Sequence, residues 1–140
     1  MKILLTGSSG FIGQHLLPRL QALGEVVELQ SNLTDHAAIQ AEVKSVAPDI
    51  VVHLAARTEV QKSFYEQVSF SEVNYVGTVN LIEACRNVDP MPYFVFASTM
   101  EVYGWQPISD EVEETGTYKE NVAFDEHTQP HPNAPYAVAK

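Results

Sequence analysis

Three features of this 140-residue chain predict an α/β fold, a parallel sheet wound in both directions with helices on its two faces. A short apolar run near the N-terminus enters a turn with glycines at positions 7, 10 and 13. Apolar runs and helix-period stretches then alternate along the chain. Gly, Pro, Asn and Asp punctuate the joints between them. A strand covered on both faces reads as a continuous apolar run, and such runs separated by helices are the pattern of parallel strands with crossover connections.

The elements follow in order. The first strand is Lys2 to Thr6 and the first helix Phe11 to Leu23, which Gly24 ends. The second strand is Glu25 to Leu29. Thr34 or Asp35 then caps a second helix running to about Ala47, and Pro48-Asp49 precedes a third strand, Ile50 to Leu54. Between Glu66 and Asn87 the residues Val68, Val73, Val76, Leu81, Ile82 and Ala84 give a mostly helical spacing, stopped by Asp89-Pro90 and Pro92. The fourth strand is Tyr93 to Ala97. From Gly104 to Pro135 periodicity is lost, prolines recur, and seven acids fall between Asp110 and Glu126. This stretch reads as a long surface loop, either functional or simply a solvated acidic segment.

Length and composition bound the possibilities. One domain of this size buries roughly 68 to 70% of the surface of its unfolded chain, so a core is expected. Eighteen acids against eight bases give a net charge of −10. Nucleic acid and anionic membranes both call for a basic face, so neither is an expected partner. The single cysteine, Cys85, has no internal disulfide partner and falls in an apolar helical segment, where it reads as an inert packed thiol. No signal peptide or membrane-spanning run is apparent, and the cytoplasm is the expected compartment.

The glycine-rich turn carries chemistry. Directly after a strand, glycines allow the backbone to turn sharply and come close to a pyrophosphate, and the next helix aims its free N–H groups at the anion. The spacing Gly7, Gly10, Gly13 departs from G-x-G-x-x-G, and a plain tight turn is the alternative. Strand before and helix after favour dinucleotide binding. A second pattern closes the chain: Tyr136 and Lys140 share one face of a helix. An ammonium beside a tyrosine hydroxyl makes that hydroxyl easier to deprotonate and so usable as an acid or base. Metal binding is not supported: His53 ends a strand, while His127 and His131 lie among prolines without a helical frame.

Taken together, these segments resemble the extended branch of the short-chain dehydrogenase/reductase superfamily, the NAD-dependent epimerase/dehydratase family of nucleotide-sugar enzymes. Thr6 to Gly13 fits its T-G-x-x-G-x-x-G loop. His53-Leu54-Ala55-Ala56 fits the motif after its third strand, Asn74 to Leu81 its long-helix signature, and Ser98 to Gly104 its S-[ST]-x-x-V-Y-G segment. The resemblance implies a Rossmann-like fold and NAD or NADP as cofactor, with NAD slightly preferred. It also implies a nucleotide-sugar substrate and a homodimeric parent protein. By position, Gly7, Gly10 and Gly13 with the amides near Phe11 and Ile12 would hold the pyrophosphate. Ala55 would line the adenosine side and Asn32-Leu33 would lie against the adenine, with the Asn32 amide oxygen accepting from it. Thr99 would bind the reacting sugar hydroxyl, Tyr136 would be the acid/base, and Lys140 would hold the nicotinamide ribose. Asn74 would serve the cofactor site or be a buried amide held by backbone groups.

Two departures refine this. Where the family often carries an acid at the end of the second strand, the chain reads Leu29-Gln30-Ser31-Asn32, which leaves NAD against NADP open. Asp35 is expected as a helix cap. Where 4,6-dehydratases carry Asp-Glu, this chain has Met100-Glu101, and a thioether cannot protonate a leaving hydroxyl. With Glu101 kept, an epimerase, decarboxylase or ketoreductase fits better than a dehydratase; a solvated loop carboxylate is the alternative for Glu101. A doubly wound domain has strand order 3-2-1-4-5-6, and only four strands can be found here. The chain is therefore expected to be an N-terminal part, lacking its substrate domain, with the fourth strand an exposed apolar edge and Lys140 at a fraying end. On that reading little turnover is expected from it alone. A non-catalytic nucleotide-binding module that controls association is the competing reading.

Overall fold

The computed structural model describes residues 1–104 and 124–140. Four parallel strands, β1 (Lys2–Thr6), β2 (Glu25–Glu28), β3 (Ile50–His53) and β4 (Tyr93–Phe96), form one sheet in the order β2-β1-β3-β4. Helix α1 (Phe11–Gln21) links β1 to β2, and α2 (His36–Val46) links β2 to β3. The β3-to-β4 connection holds two single turns, α3 (Val60–Ser63) and α4 (Gln67–Phe70). A π-helical segment, Ser71–Val76, then leads into α5 (Gly77–Arg86). After β4 come a 3₁₀ turn, Met100–Tyr103, and a short terminal helix α6 (Pro135–Val138). The acidic stretch of the Gly104 to Pro135 loop falls largely on residues 105–123, outside the described residues.

The strand order differs from the 3-2-1-4 arrangement expected for four strands. After β2 the chain crosses back over β1, so β3 pairs with β1 rather than with β2. The reversal of direction lies between β1 and β3, and ligands of open α/β sheets bind at such a switch point. Right-handed crossovers explain the layers, since opposite directions of travel put connecting helices on opposite faces. Side-chain alternation in β1 records this. Ile3 and Leu5 pack with Val52 against Leu16, Leu17 and Leu20 of α1. Leu4 packs with Val51 against Ile39 and Val43 of α2 and Leu81, Ala84 and Cys85 of α5.

Local chemistry sets the boundaries. Asp35 caps α2, its Oδ1 accepting from the Ala38 amide at 3.0 Å, as expected of an N-terminal Asp. The long helix predicted from Glu66 to Asn87 is widened in its middle into the π segment. Single-turn π bulges occur mostly inside α-helices and often beside functional sites. Cys85 is buried, as its setting predicted, and burial pushes its thiol up to about 11. β4 is the last strand of the sheet, with Tyr93 72% exposed.

Candidate nucleotide-binding site

At the β1/β3 switch point a cleft of about 570 Å³ opens between the glycine turn and the segment after β3. Its lining runs from Gly10, Phe11 and Ile12 through Ala55 and Arg57 to Ala97 at the end of β4. The three glycines serve different ends. Gly7 has φ +70°, and a Cβ there would fall 2.7 Å from the Ala55 nitrogen. A Cβ on Gly13 would fall 2.1 Å from the Gly7 carbonyl oxygen. The fold itself requires both. Gly10 differs: its φ and ψ, −72° and 167°, suit any residue, and an added Cβ would meet only the Gly7 carbonyl oxygen, at 3.3 Å. It lines the cleft, so its lack of a side chain serves whatever the turn must approach. Gly10 is also the N-cap of α1 and gives the helix no side-chain cap, which leaves the first-turn N–H groups for a ligand. A pyrophosphate fits this cradle by its charge and by its need for close backbone approach.

A buried relay of hydrogen bonds holds the far wall. The Ala55 amide donates to Thr6 Oγ1 at 3.0 Å, and Thr6 Oγ1 lies 2.6 Å from His53 Nδ1. His53 Nε2 lies 2.9 Å from Thr78 Oγ1, which donates to the Asn74 carbonyl at 2.5 Å. Only one arrangement of protons satisfies the chain. Thr78 spends its hydrogen on a carbonyl, so it accepts from Nε2–H, and Nδ1 then accepts from Thr6. His53 is thus the neutral Nε2–H tautomer. Burial, with a smaller push from the charge of Lys140, lowers its pKa to about 4.

Asn74, 1% exposed, stands one step behind the cleft. Its Oδ1 accepts from the Arg57 amide at 2.8 Å and its Nδ2 donates to the Arg57 carbonyl at 2.9 Å. The π segment presents it at this position. The amide is held by backbone groups, the second of the two roles the sequence allowed, and it shapes the wall by fixing Arg57. The Arg57 guanidinium bonds Ser69 Oγ, pairs with Glu66 at 2.6 Å and lies over the Phe70 ring.

Two residues expected on the adenine side have partners within the fold. Asn32 Oδ1 already accepts from the Thr34 amide at 3.1 Å and from its hydroxyl at 3.0 Å, so the acceptor role expected of it is filled locally. Leu33 is buried in the core with α2 and α5, its carbonyl held by Asn80 Nδ2, and it does not line the cleft.

The residues expected to do chemistry gather beyond Ala97. Thr99 caps the 3₁₀ turn, accepting from the Glu101 amide at 3.3 Å, and α6 packs on that turn. Tyr136 is buried in α6. Lys140 lies beyond the last residue of α6; its ammonium donates to the Ala97 carbonyl at 2.5 Å and lies 4.7 Å from the centre of the Phe96 ring. Burial lowers its pKa. Ala97 therefore joins the cleft to this cluster. Met100 is 71% exposed and Glu101 half-buried.

Comparison with known proteins agrees with this geometry. The sequence profile of the NAD dependent epimerase/dehydratase family matches residues 3–140. The chain is 34% identical over 175 residues to dTDP-glucose 4,6-dehydratase 1 of Escherichia coli K12, covering 100% of this chain and 47% of that protein. The crystal structure of Thermus thermophilus UDP-glucose 4-epimerase in complex with NAD superimposes with a TM-score of 0.78 at 31% identity, covering 100% of this chain and 47% of that one. The structure of RMD from Pseudomonas aeruginosa complexed with NADPH gives 0.74 at 30%, covering 100% and 46%. The chain spans about half the length of these relatives.

Proposed function

The chain belongs to the NAD dependent epimerase/dehydratase family, and we propose that it forms the cofactor-binding part of a nucleotide-sugar oxidoreductase of epimerase, decarboxylase or ketoreductase type. The observation that carries this reading is the Gly10 cradle, open towards a cleft that ends at the carbonyl holding Lys140. The N–H groups of the first turn of α1 bind the pyrophosphate of NAD or NADP, and Ala55 lies along the adenosine side. When bound, the nicotinamide exchanges a hydride with a sugar carbon. Thr99 orients the sugar hydroxyl, Tyr136 takes its proton, and Lys140 holds the ribose with a fixed positive charge. Glu101, next to Met100 on the same turn, serves a proton transfer at the sugar. Met100 cannot donate a proton, which sets this protein apart from 4,6-dehydratases even though its Escherichia coli relative is one.

An apolar ridge formed by Val68, Tyr75, Val79 and Ile82 on the outer side of α4, the π segment and α5 is exposed, and a second copy of the protein fits it as a homodimer partner. Net charge of −10 speaks against nucleic acid or anionic membrane, and no helix among the described residues is long and apolar enough to cross a membrane. The buried free thiol of Cys85 suits a reducing compartment such as the cytoplasm.

The test is Tyr136→Phe in the full-length protein, assayed on a panel of nucleotide sugars by the absorbance of the reduced nicotinamide. Turnover should fall roughly 10²- to 10⁴-fold while cofactor affinity stays nearly unchanged. Retained turnover in the variant would refute the role of Tyr136, and wild-type cofactor binding without turnover on any sugar would favour a binding module.

A further inference from the structure

The adenosine ribose of a dinucleotide lies where β2 ends, and the groups found there decide whether a 2′-hydroxyl or a 2′-phosphate is accepted. In this chain β2 ends on Glu28, and residues 29–32 directly after it supply neither an acid nor an arginine. The structure brings a carboxylate to the place from another element. Glu42, on α2, accepts from the Gln30 amide at 2.9 Å with one oxygen and from the Ser31 amide at 2.8 Å with the other, and the Ser31 hydroxyl also bonds it. The Gln30 side chain curls back, its Nε2 donating to the Glu28 carbonyl at 2.9 Å. Adjacent backbone N–H groups in a turn form the kind of concavity that binds anions. Here an internal anion fills it.

Resting on the dinucleotide reading above, we infer that Glu42 is a cofactor-specificity residue: it occupies the donors that a 2′-phosphate would need, and so selects NAD over NADP. Two effects act together. A phosphate arriving at this turn would find the Gln30 and Ser31 amides and the Ser31 hydroxyl already committed, and it would meet the negative charge of Glu42 at close range. A 2′-hydroxyl carries no charge and can donate to a carboxylate oxygen instead. Burial alone would raise the pKa of Glu42, but the bonds from Ser31 and Gln30 outweigh it and hold the carboxyl below its ordinary value, so it is charged at neutral pH. The signal was hidden from the sequence because acid and turn lie on different elements.

Calorimetric titration of wild type, Glu42→Ala and Glu42→Gln with NAD and NADP tests this, with AMP and adenosine 2′,5′-bisphosphate isolating the 2′-phosphate. Wild type should bind NAD at least roughly tenfold more tightly than NADP, and Glu42→Ala should narrow that ratio by roughly tenfold or more, chiefly by tightening NADP. Glu42→Gln, which keeps an acceptor but no charge, should fall between and provides the answer if the alanine variant does not fold. Equal wild-type affinities, or NAD binding with a ratio unmoved in the folded variants, would overturn the inference and leave the dinucleotide site standing. Failure of wild type to bind either cofactor or either adenosine fragment would overturn both.

Discussion

Acidifying the protein should break it at His53, by an amount the structure allows to be worked out. The imidazole is buried, fixed in one tautomer between Thr6 and Thr78, and its pKa is lowered from 6.5 to about 4, first by burial and then by the charge of Lys140. Between those two values the unfolded chain holds a proton that the folded one refuses. The stability contributed by the neutral ring is therefore complete above about pH 6.5 and is lost as pH falls towards 4. Over the whole window the loss is about 3 kcal/mol, and by pH 5 about 2 kcal/mol of it has gone. Carboxylates titrate at the lower end of the same range, so the measurement must be a difference. Urea unfolding of wild type and His53→Gln, which keeps an acceptor and a donor in the relay, should give curves against pH that converge as pH drops, by about 2 kcal/mol between about pH 8 and pH 5. Adding Lys140→Gln to wild type should move the folded-state pKa of His53 up, since the repelling charge is gone, and so shrink the loss. Parallel curves for wild type and His53→Gln would refute the neutral, buried relay.

Two further predictions concern groups behind the cleft. Asn74→Ala leaves both backbone groups of Arg57 without their partner and should cost about 2 to 4 kcal/mol in urea unfolding, with Asn74→Asp, which keeps the acceptor but turns a buried carboxylate oxygen on the Arg57 carbonyl, losing at least as much. A loss below about 0.5 kcal/mol would mean water replaces the amide freely. Cys85, whose thiol is pushed up to about 11 from 9.0, should react with a maleimide at neutral pH about a hundredfold more slowly than the same residue in the urea-unfolded chain. Equal rates would show that the α2/α5 core opens readily.

Much of the fold was legible because it is written in local pattern. β1 begins and ends where the apolar run does, the other strands fall within a residue of expectation, and Asp35 caps α2 by the ordinary preference of its side chain. Strand order was not, because it depends on which strand β3 pairs with after the crossover, a contact between distant residues. The π segment was hidden for a related reason. Val68, Val73 and Val76 fit a helix closely enough, and the widening shows only once Asn74 is seen reaching Arg57. Within the site, Gly7, Gly10 and Gly13 announced the turn but not their division of labour, which depends on where Ala55 and the Gly7 carbonyl lie. Thr6, His53 and Thr78 come from three elements and had no shared sequence signal. The burial of Leu33 was not legible because an apolar residue after β2 can line a ligand or a core, and here Gly77, where an added Cβ would fall 2.8 Å from the Leu33 Cβ, lets α5 close over it.

The central claim is that the Gly10 turn receives a dinucleotide, and Gly10→Val tests it most directly. Valine fits the backbone angles of Gly10 and its Cβ needs only a small give from the Gly7 carbonyl, so the fold should survive while the branched side chain blocks the approach to the turn. Calorimetry should show saturable NAD binding to wild type and at least roughly tenfold weaker binding to the variant, with the thermal midpoint little changed. Undiminished NAD affinity in a folded Gly10→Val variant would contradict the claim.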